Sequence, residues 1–152
     1  MPVFSVQRGQ GEMLNVVGDG VRMLADGVAT GGKFAAFETI TQPGMGPPLH
    51  RHSIDDEYFY VLEGHVRFIV DGKEMRLGVG SFAHAPKGSI HTFSNCGTGV
   101  LRMLVICTPP GLESPFREVH AMGPEGQKNM PAIIAAFQQH KVEFHGPPIG
   151  PG

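Results

Sequence analysis

The chain has 152 residues, 41% of them apolar, and its 12 Lys and Arg against 14 Asp and Glu leave a net charge of −2. This length fits a single domain that can bury a core of its own. The 22 Gly and 13 Pro argue against a mostly helical protein, because both residues disfavour helix interiors. No cluster of Lys and Arg marks a nucleic-acid surface, so we expect no nucleic-acid partner.

The elements predicted along the chain are mostly short strands separated by Gly and Pro. Aromatic and β-branched runs between turn residues are typical of strands, and Asp71-Gly72 is a strong hairpin signal. In chain order the predicted strands are 21–25, 33–41, 58–63, 65–70, 73–77, 81–85, 90–95 and 100–107. Short strands at intervals of about ten residues indicate a β-sandwich or closed barrel.

After the run Thr108-Pro109-Pro110-Gly111 the sequence changes character. We expect a short helix over 113–121 and a firmer one over 131–141, whose apolar stripe packs on the strands or on a partner subunit. The stripe consists of Ile133, Ile134 and Phe137. The expected organisation is one domain in three parts, namely a lead-in over 1–33, a β core over 34–107, and a helical extension with a tail over 108–152.

The sequence also predicts where the protein resides. Cys96 and Cys107 do not make a disulfide framework, so we expect free thiols in a reducing cytoplasm. Residues 1–8 lack the charged-then-apolar order of a signal peptide, and no apolar run reaches membrane-spanning length. We therefore expect a cytoplasmic protein without a membrane partner.

Three of the eight histidines form a pattern with one glutamate. His50 and His52 are two residues apart, so on an extended strand both imidazoles project from the same face. Glu57 follows after a spacer long enough for a turn, and His91 begins a later predicted strand. Three imidazoles and one carboxylate suit a divalent transition metal better than calcium or magnesium. The remaining histidines are expected to be ordinary core or surface residues: His65, His84, His120, His140 and His145.

The spacing of these four residues, with the Gly and Pro around them, resembles the two signature motifs of the cupin superfamily. The first motif matches at Gly44, His50, His52, Glu57 and Gly64, and the second at Gly80, Pro86, Gly88, His91 and Asn95. The resemblance covers about residues 34–107. It implies an all-β double-stranded β-helix, the jelly-roll or cupin barrel, here followed by the short C-terminal helices. It also implies that His50, His52, Glu57 and His91 are the ligands of one metal: Fe, Mn, Ni, Co, Cu or Zn.

Strand parity suggests which side chains form a substrate pocket beside such a metal. If Glu57 points inward, so does Phe59, and an inward His91 brings Phe93 with it. Flanking strands add further candidates, which gives this set of possible wall residues: Phe37, Phe59, Phe68, Phe93 and Met103. Such a wall suits a small aromatic or apolar substrate, with ordinary core packing as the alternative for each residue.

Looser similarities extend the resemblance to single-domain quercetin-dioxygenase-like cupins of bacteria, in segments 58–64, 110–118 and 142–148. They imply a dioxygenase that cleaves a small hydroxylated aromatic or enol substrate with O₂, with Glu57 acting as catalytic base. A redox-neutral isomerase or lyase and a non-catalytic ligand-binding cupin are the alternatives. The resemblance further implies a homodimer, to which residues 3–6 could add an edge strand.

Overall fold

Two antiparallel β-sheets face each other in the computed structural model, which describes residues 2–152. Within that range the strands are β1 (Glu12–Val16), β2 (Asp19–Ala25), β3 (Ala35–Thr41), β4 (Leu49–His52), β5 (Asp56–Glu63), β6 (Val66–Val70), β7 (Lys73–Leu77), β8 (Phe82–Ala85), β9 (Ile90–Asn95), β10 (Leu101–Thr108) and β11 (Val142–Gly146). The helices are α1 (Glu113–Ala121), α2 (Gly123–Gly126) and α3 (Met130–Gln139). This is the all-β jelly-roll barrel with short C-terminal helices that the sequence predicts.

The order of the strands decides which elements share a face of the barrel. One sheet runs β1-β2-β3-β10-β5-β8 and the other runs β11-β4-β9-β6-β7. Glu57 belongs to β5 in the first sheet, whereas His50, His52 and His91 belong to β4 and β9 in the second. A site that uses all four residues must therefore lie between the two sheets.

Alternating burial along the strands builds the core between the sheets. Every second residue of β10 is buried, from Leu101 through Met103 and Val105 to Cys107. Aromatic rings fill the centre, where Phe59 and Phe68 meet edge to face with their centroids 4.9 Å apart. The helices do not interrupt this core but cover one side of it.

The C-terminal helices attach to the barrel through phenylalanines. Phe116 of α1 packs edge to face against Phe37, with centroids 5.2 Å apart. The ring centroids of Phe137 in α3 and Phe144 in β11 are 5.5 Å apart. The apolar stripe predicted for the second helix thus packs on the protein's own strands, with Ile133 and Phe137 buried and Ile134 half-buried. None of the helices among residues 2–152 is long and apolar enough to cross a membrane.

All eight predicted strands and both predicted helices are present, with ends within two residues of the expected positions. The strand β4, which carries His50 and His52, was not among the eight predicted strands, although the spacing of the two histidines was interpreted as that of a strand. The strands β1 and β11 and the single turn of α2 were not expected. Their sequences, EMLNV, VEFHG and GPEG, carry too few alternating apolar residues to predict structure locally. Residues 3–6 form no strand within the described chain.

Candidate metal centre

The strand register brings the four sequence-predicted ligands together. His50 of β4 lies opposite His91 of β9 in the same sheet, and His52 follows on the same face of β4. Glu57 enters from β5 in the facing sheet. One potential ligand atom from each of the four side chains lies within 4.8 Å of all the others.

Glu57 is at the centre of this cluster. Its Oε1 lies 2.6 Å from Nε2 of His52, 3.0 Å from Nε2 of His91 and 3.9 Å from Nε2 of His50. All four side chains are buried. A buried carboxylate among three imidazoles is a donor set that fits one divalent transition-metal ion.

The pKa values of the cluster residues are also those expected of a metal-binding site. Burial alone would raise the pKa of Glu57, but the imidazoles, with His52 first, hold it well below its usual range. Burial lowers the pKa of His50. At His52 the effect of burial is outweighed by the carboxylates of Glu57 and Asp55, which raise the pKa of His52 to about 10. The metal-free cluster therefore holds a proton among its donors, and a metal cation would displace it.

Contacts on the far side of each ring aim the imidazoles at the centre. Nδ1 of His50 lies 2.7 Å from the carbonyl oxygen of Pro48, and Nδ1 of His91 lies 3.2 Å from that of Ser89. Nδ1 of His52 faces the carboxylate of Asp55 instead. Because Nδ1–H donates to an acceptor in each case, Nε2 is the atom that remains free to bind a metal.

The turn before β9 fixes the position of His91. The amide of Ser89 donates to the carbonyl of Pro86, and the amide of Gly88 donates to the carbonyl of His52. These hydrogen bonds join the turn to the strand that carries two other members of the cluster. Asn95, at the end of β9, donates its side-chain amide to the carbonyls of Thr41 and Gly99 and so has a backbone-binding role.

An apolar cavity of about 260 Å³ reaches the cluster, with His50, His52 and Glu57 in its wall. Of the candidate pocket residues, Phe37, Phe59 and Phe93 line this cavity. Phe68 and Met103 do not line it, because both side chains are packed in the core behind the wall.

Part of the cavity wall comes from outside the barrel core and was not predicted from the sequence. The C-terminal region contributes Leu112, Phe116, Ile133, Phe137, Val142 and Phe144. Asp55, the acceptor behind His52, was not predicted either. The spacing of His52 and Asp55, three residues apart in one turn, was the available signal for that contact.

The five histidines expected to be ordinary residues stand apart from the cluster. His65 is exposed, and Nδ1 of His120 accepts a hydrogen bond of 2.9 Å from the amide of Asn15. The other three lie near single carboxylates: His84 near Asp56, His140 near Glu118 and His145 near Glu143. Cys96 and Cys107 are both free thiols.

The fold and the site together define a small β-barrel protein with a buried metal-binding cluster between its sheets. Residues 37–107 match the family model of the cupin domain. The chain belongs to the cupin superfamily.

Comparison with known proteins gives one curated relative that is more than 30% identical. The chain is 31% identical over 116 residues to quercetin 2,3-dioxygenase of Bacillus subtilis (strain 168), which covers 74% of this chain but 33% of that enzyme. The chain therefore spans about a third of the length of that relative.

Two solved structures have the same fold. KdgF from a Halomonas species matches with a TM-score of 0.65 at 17% identity, over 72% of this chain and 98% of that one. The polyketide cyclase RemF from Streptomyces resistomycificus matches with a TM-score of 0.61 at 23% identity, over 70% of this chain and 79% of that one. At these identities the two structures show a shared fold alone.

Proposed function

We propose that this protein is a metal-dependent dioxygenase that cleaves a small hydroxylated aromatic or enol substrate, similar to a flavonol, with O₂. The observation that carries the proposal is the opening of the four-residue cluster onto an apolar, aromatic-lined cavity. The identity to a quercetin 2,3-dioxygenase supports this reaction type over other cupin activities.

The cavity supports the choice of substrate class. Its volume of about 260 Å³ is at the small end of ligand pockets. Phe37, Phe59 and Phe93 give it flat apolar surfaces, against which an aromatic ring packs well. The same surfaces exclude bulk water from the reacting end of the substrate.

The four side chains would bind the metal in the proposed reaction, and one of them would also act as a base. A divalent transition metal held by His50, His52, Glu57 and His91 would supply Lewis acidity towards the substrate hydroxyl and the redox chemistry that O₂ requires. Glu57 is the catalytic base of the proposal, since its carboxylate is ionised and lies in the cavity wall, where it can accept the hydroxyl proton.

Oxygen consumption and product analysis test this proposal. Protein loaded separately with iron, manganese, nickel, cobalt or copper is given flavonols and catechols in an oxygen electrode. We expect O₂ uptake with a ring-cleaved product, lost in Glu57→Gln and retained in the control His65→Ala. If no metal form takes up O₂ with any of these substrates, the proposal fails. Turnover of the same substrates under nitrogen by the zinc form would indicate a redox-neutral isomerase or lyase instead.

We also propose that the protein works as a cytoplasmic homodimer. Two free cysteines fit a reducing compartment. The edge strand β8 carries Phe82, 61% exposed, and Val79 just before it is 68% exposed. Apolar side chains at an open sheet edge favour association with another copy. Light scattering that gave the mass of a monomer at micromolar concentration would contradict the dimer.

A further inference from the structure

The cavity wall contains two polar side chains that are not candidate metal ligands, Asp19 and Thr39. Asp19 begins β2, and the pairing of Gly20 with Ile40 places it opposite Thr41 of β3. Thr39 and Thr41 lie on the same face of β3 because side chains alternate along a strand. The carboxyl group of Asp19 and the hydroxyl group of Thr39 therefore lie on one part of the wall, with the Thr41 hydroxyl buried behind them.

These polar groups are poorly satisfied within the protein. Oδ1 of Asp19 and the hydroxyl oxygens of Thr39 and Thr41 are buried and make no hydrogen bond of good geometry among the described residues. Burial raises the pKa of Asp19 to about 6, opposed only by a weak hydrogen-bonding interaction with the neighbouring Thr41 hydroxyl. Leaving buried polar groups unpaired costs free energy, which indicates that a ligand supplies what the protein does not.

The strand register also places Asp19 and Thr39 away from the His–Glu cluster. Ala35 and Glu57 both pair with Cys107 of β10, so they are at the same level of the sheet. Thr39 lies four residues further along β3, about 13 Å at the usual rise per residue of a strand. An elongated ligand with one end at the cluster would present its other end to Asp19 and Thr39.

We propose that Asp19, together with Thr39, binds a hydrogen-bond donor at the end of the substrate remote from the His–Glu cluster. The inference rests on the proposed function in one respect, namely that this cavity holds the substrate. An ionised carboxylate only accepts hydrogen bonds, so the site selects a hydroxyl or amino group. No Lys or Arg among the described residues lines the cavity, so an anionic group finds no counter-charge there.

Three matched flavones test the inference by binding alone. They are 3-hydroxyflavone, 3,4′-dihydroxyflavone and 4′-amino-3-hydroxyflavone, which differ only at the outer end. Kd is measured from the fluorescence of the flavones with zinc-loaded protein under nitrogen, where no turnover with O₂ occurs. The chain has no Trp, so protein emission does not interfere.

We expect the wild-type protein to bind at least one of the two donor-bearing flavones about tenfold or more tightly than 3-hydroxyflavone, as for hydrogen bonds to a charged group. The flavone that gains affinity identifies the donor as hydroxyl or amine. Asp19→Leu should abolish the preference. Glu125→Gln, which removes an exposed carboxylate outside the cavity, should keep the preference in full.

Two further variants guard against a folding defect in Asp19→Leu. Asp19→Asn and Thr39→Val keep the shape of the wall and should each reduce the preference. The inference is overturned if wild-type protein binds the three flavones equally, if it binds none of them, or if the preference survives in Asp19→Leu. If the wild-type protein shows the binding preference but takes up no O₂, this inference holds and the proposed dioxygenase activity is wrong.

Discussion

The carboxylate of Asp55 lies beside His52, with its two oxygens 3.1 and 3.2 Å from Nδ1 of the imidazole. His50 and His91 have backbone carbonyl oxygens at the equivalent position. His52 is therefore the one ligand imidazole of the cluster backed by a negative charge, which makes it the strongest electron donor of the three. Asp55 is buried, so water screens this charge poorly.

We expect Asp55→Asn to weaken metal binding by about 10- to 100-fold, the usual effect of losing such a partner behind a ligand histidine. Competition with a chromophoric chelator measures the affinity. Asp56→Asn is the matched control, because Asp56 contacts His84 and the turn at Lys87 and no member of the cluster. Equal affinities for the two variants would show that Asp55 has no role in metal binding.

A close backbone contact holds the rim of the cavity to β9. Gly46 lines the cavity, and a Cβ at this position would overlap the carbonyl oxygen of Phe93. Just before Gly46, the amide of Gly44 donates to the carbonyl of Asn95, and the amide of Asn95 donates to that of Met45. A side chain at position 46 would have to separate these segments.

We expect Gly46→Ala to lower the free energy of unfolding by more than about 2 kcal/mol, since the obstacle is backbone that cannot move aside cheaply. Gly44→Ala is the control. Its φ of +78° is strained for alanine, but the space around it is open. A loss of about 1 kcal/mol is expected for the control. Urea titrations compare the two, and a Gly46→Ala loss no larger than that of the control would refute the steric argument.

Asp19 should make stability depend on pH in an unusual direction for an acidic residue. Its pKa rises from 3.8 to about 6 in the folded protein. Between these values the folded state keeps a proton that the unfolded chain has lost. The free energy of unfolding therefore falls as the pH rises through this window. Above the window the total loss reaches about 3 kcal/mol.

We expect Asp19→Asn to remove this loss, because the amide does not titrate. The free energy of unfolding of the variant relative to wild type should increase between pH 4 and pH 7. Both proteins are unfolded in urea with chelator present, so that metal binding does not contribute. Parallel pH profiles for the two proteins would contradict the burial assigned to Asp19.

The four cluster residues could be predicted from sequence because they stand at the spacing of the cupin motifs and each follows a local regularity, although their convergence depends on strand pairing. The spacing of His50 and His52 defines one face of a strand, and the turn residues before His91 mark the start of another. The inward direction of Phe59 and Phe93 follows from the same period of two. These features require no knowledge of which strands pair.

Other parts of the site depend on long-range pairing and could not be predicted. Phe68 also faces inward, yet the cavity ends before reaching it, which only the packing of the two sheets decides. The strand β11 pairs Val142 with His52, a relationship that no local pattern contains. Asp19 has the sequence signature of a turn, between Gly18 and Gly20, but the structure places it as the first residue of β2.

Metal content tests the central claim most directly. Elemental analysis of protein purified without added metal should find about one divalent transition-metal ion per chain. His50→Ala, His52→Ala and His91→Ala should each remove it while the circular dichroism of the barrel is kept, whereas His65→Ala and His120→Ala should retain it. Equal metal content in all five variants would contradict the assignment of the metal centre.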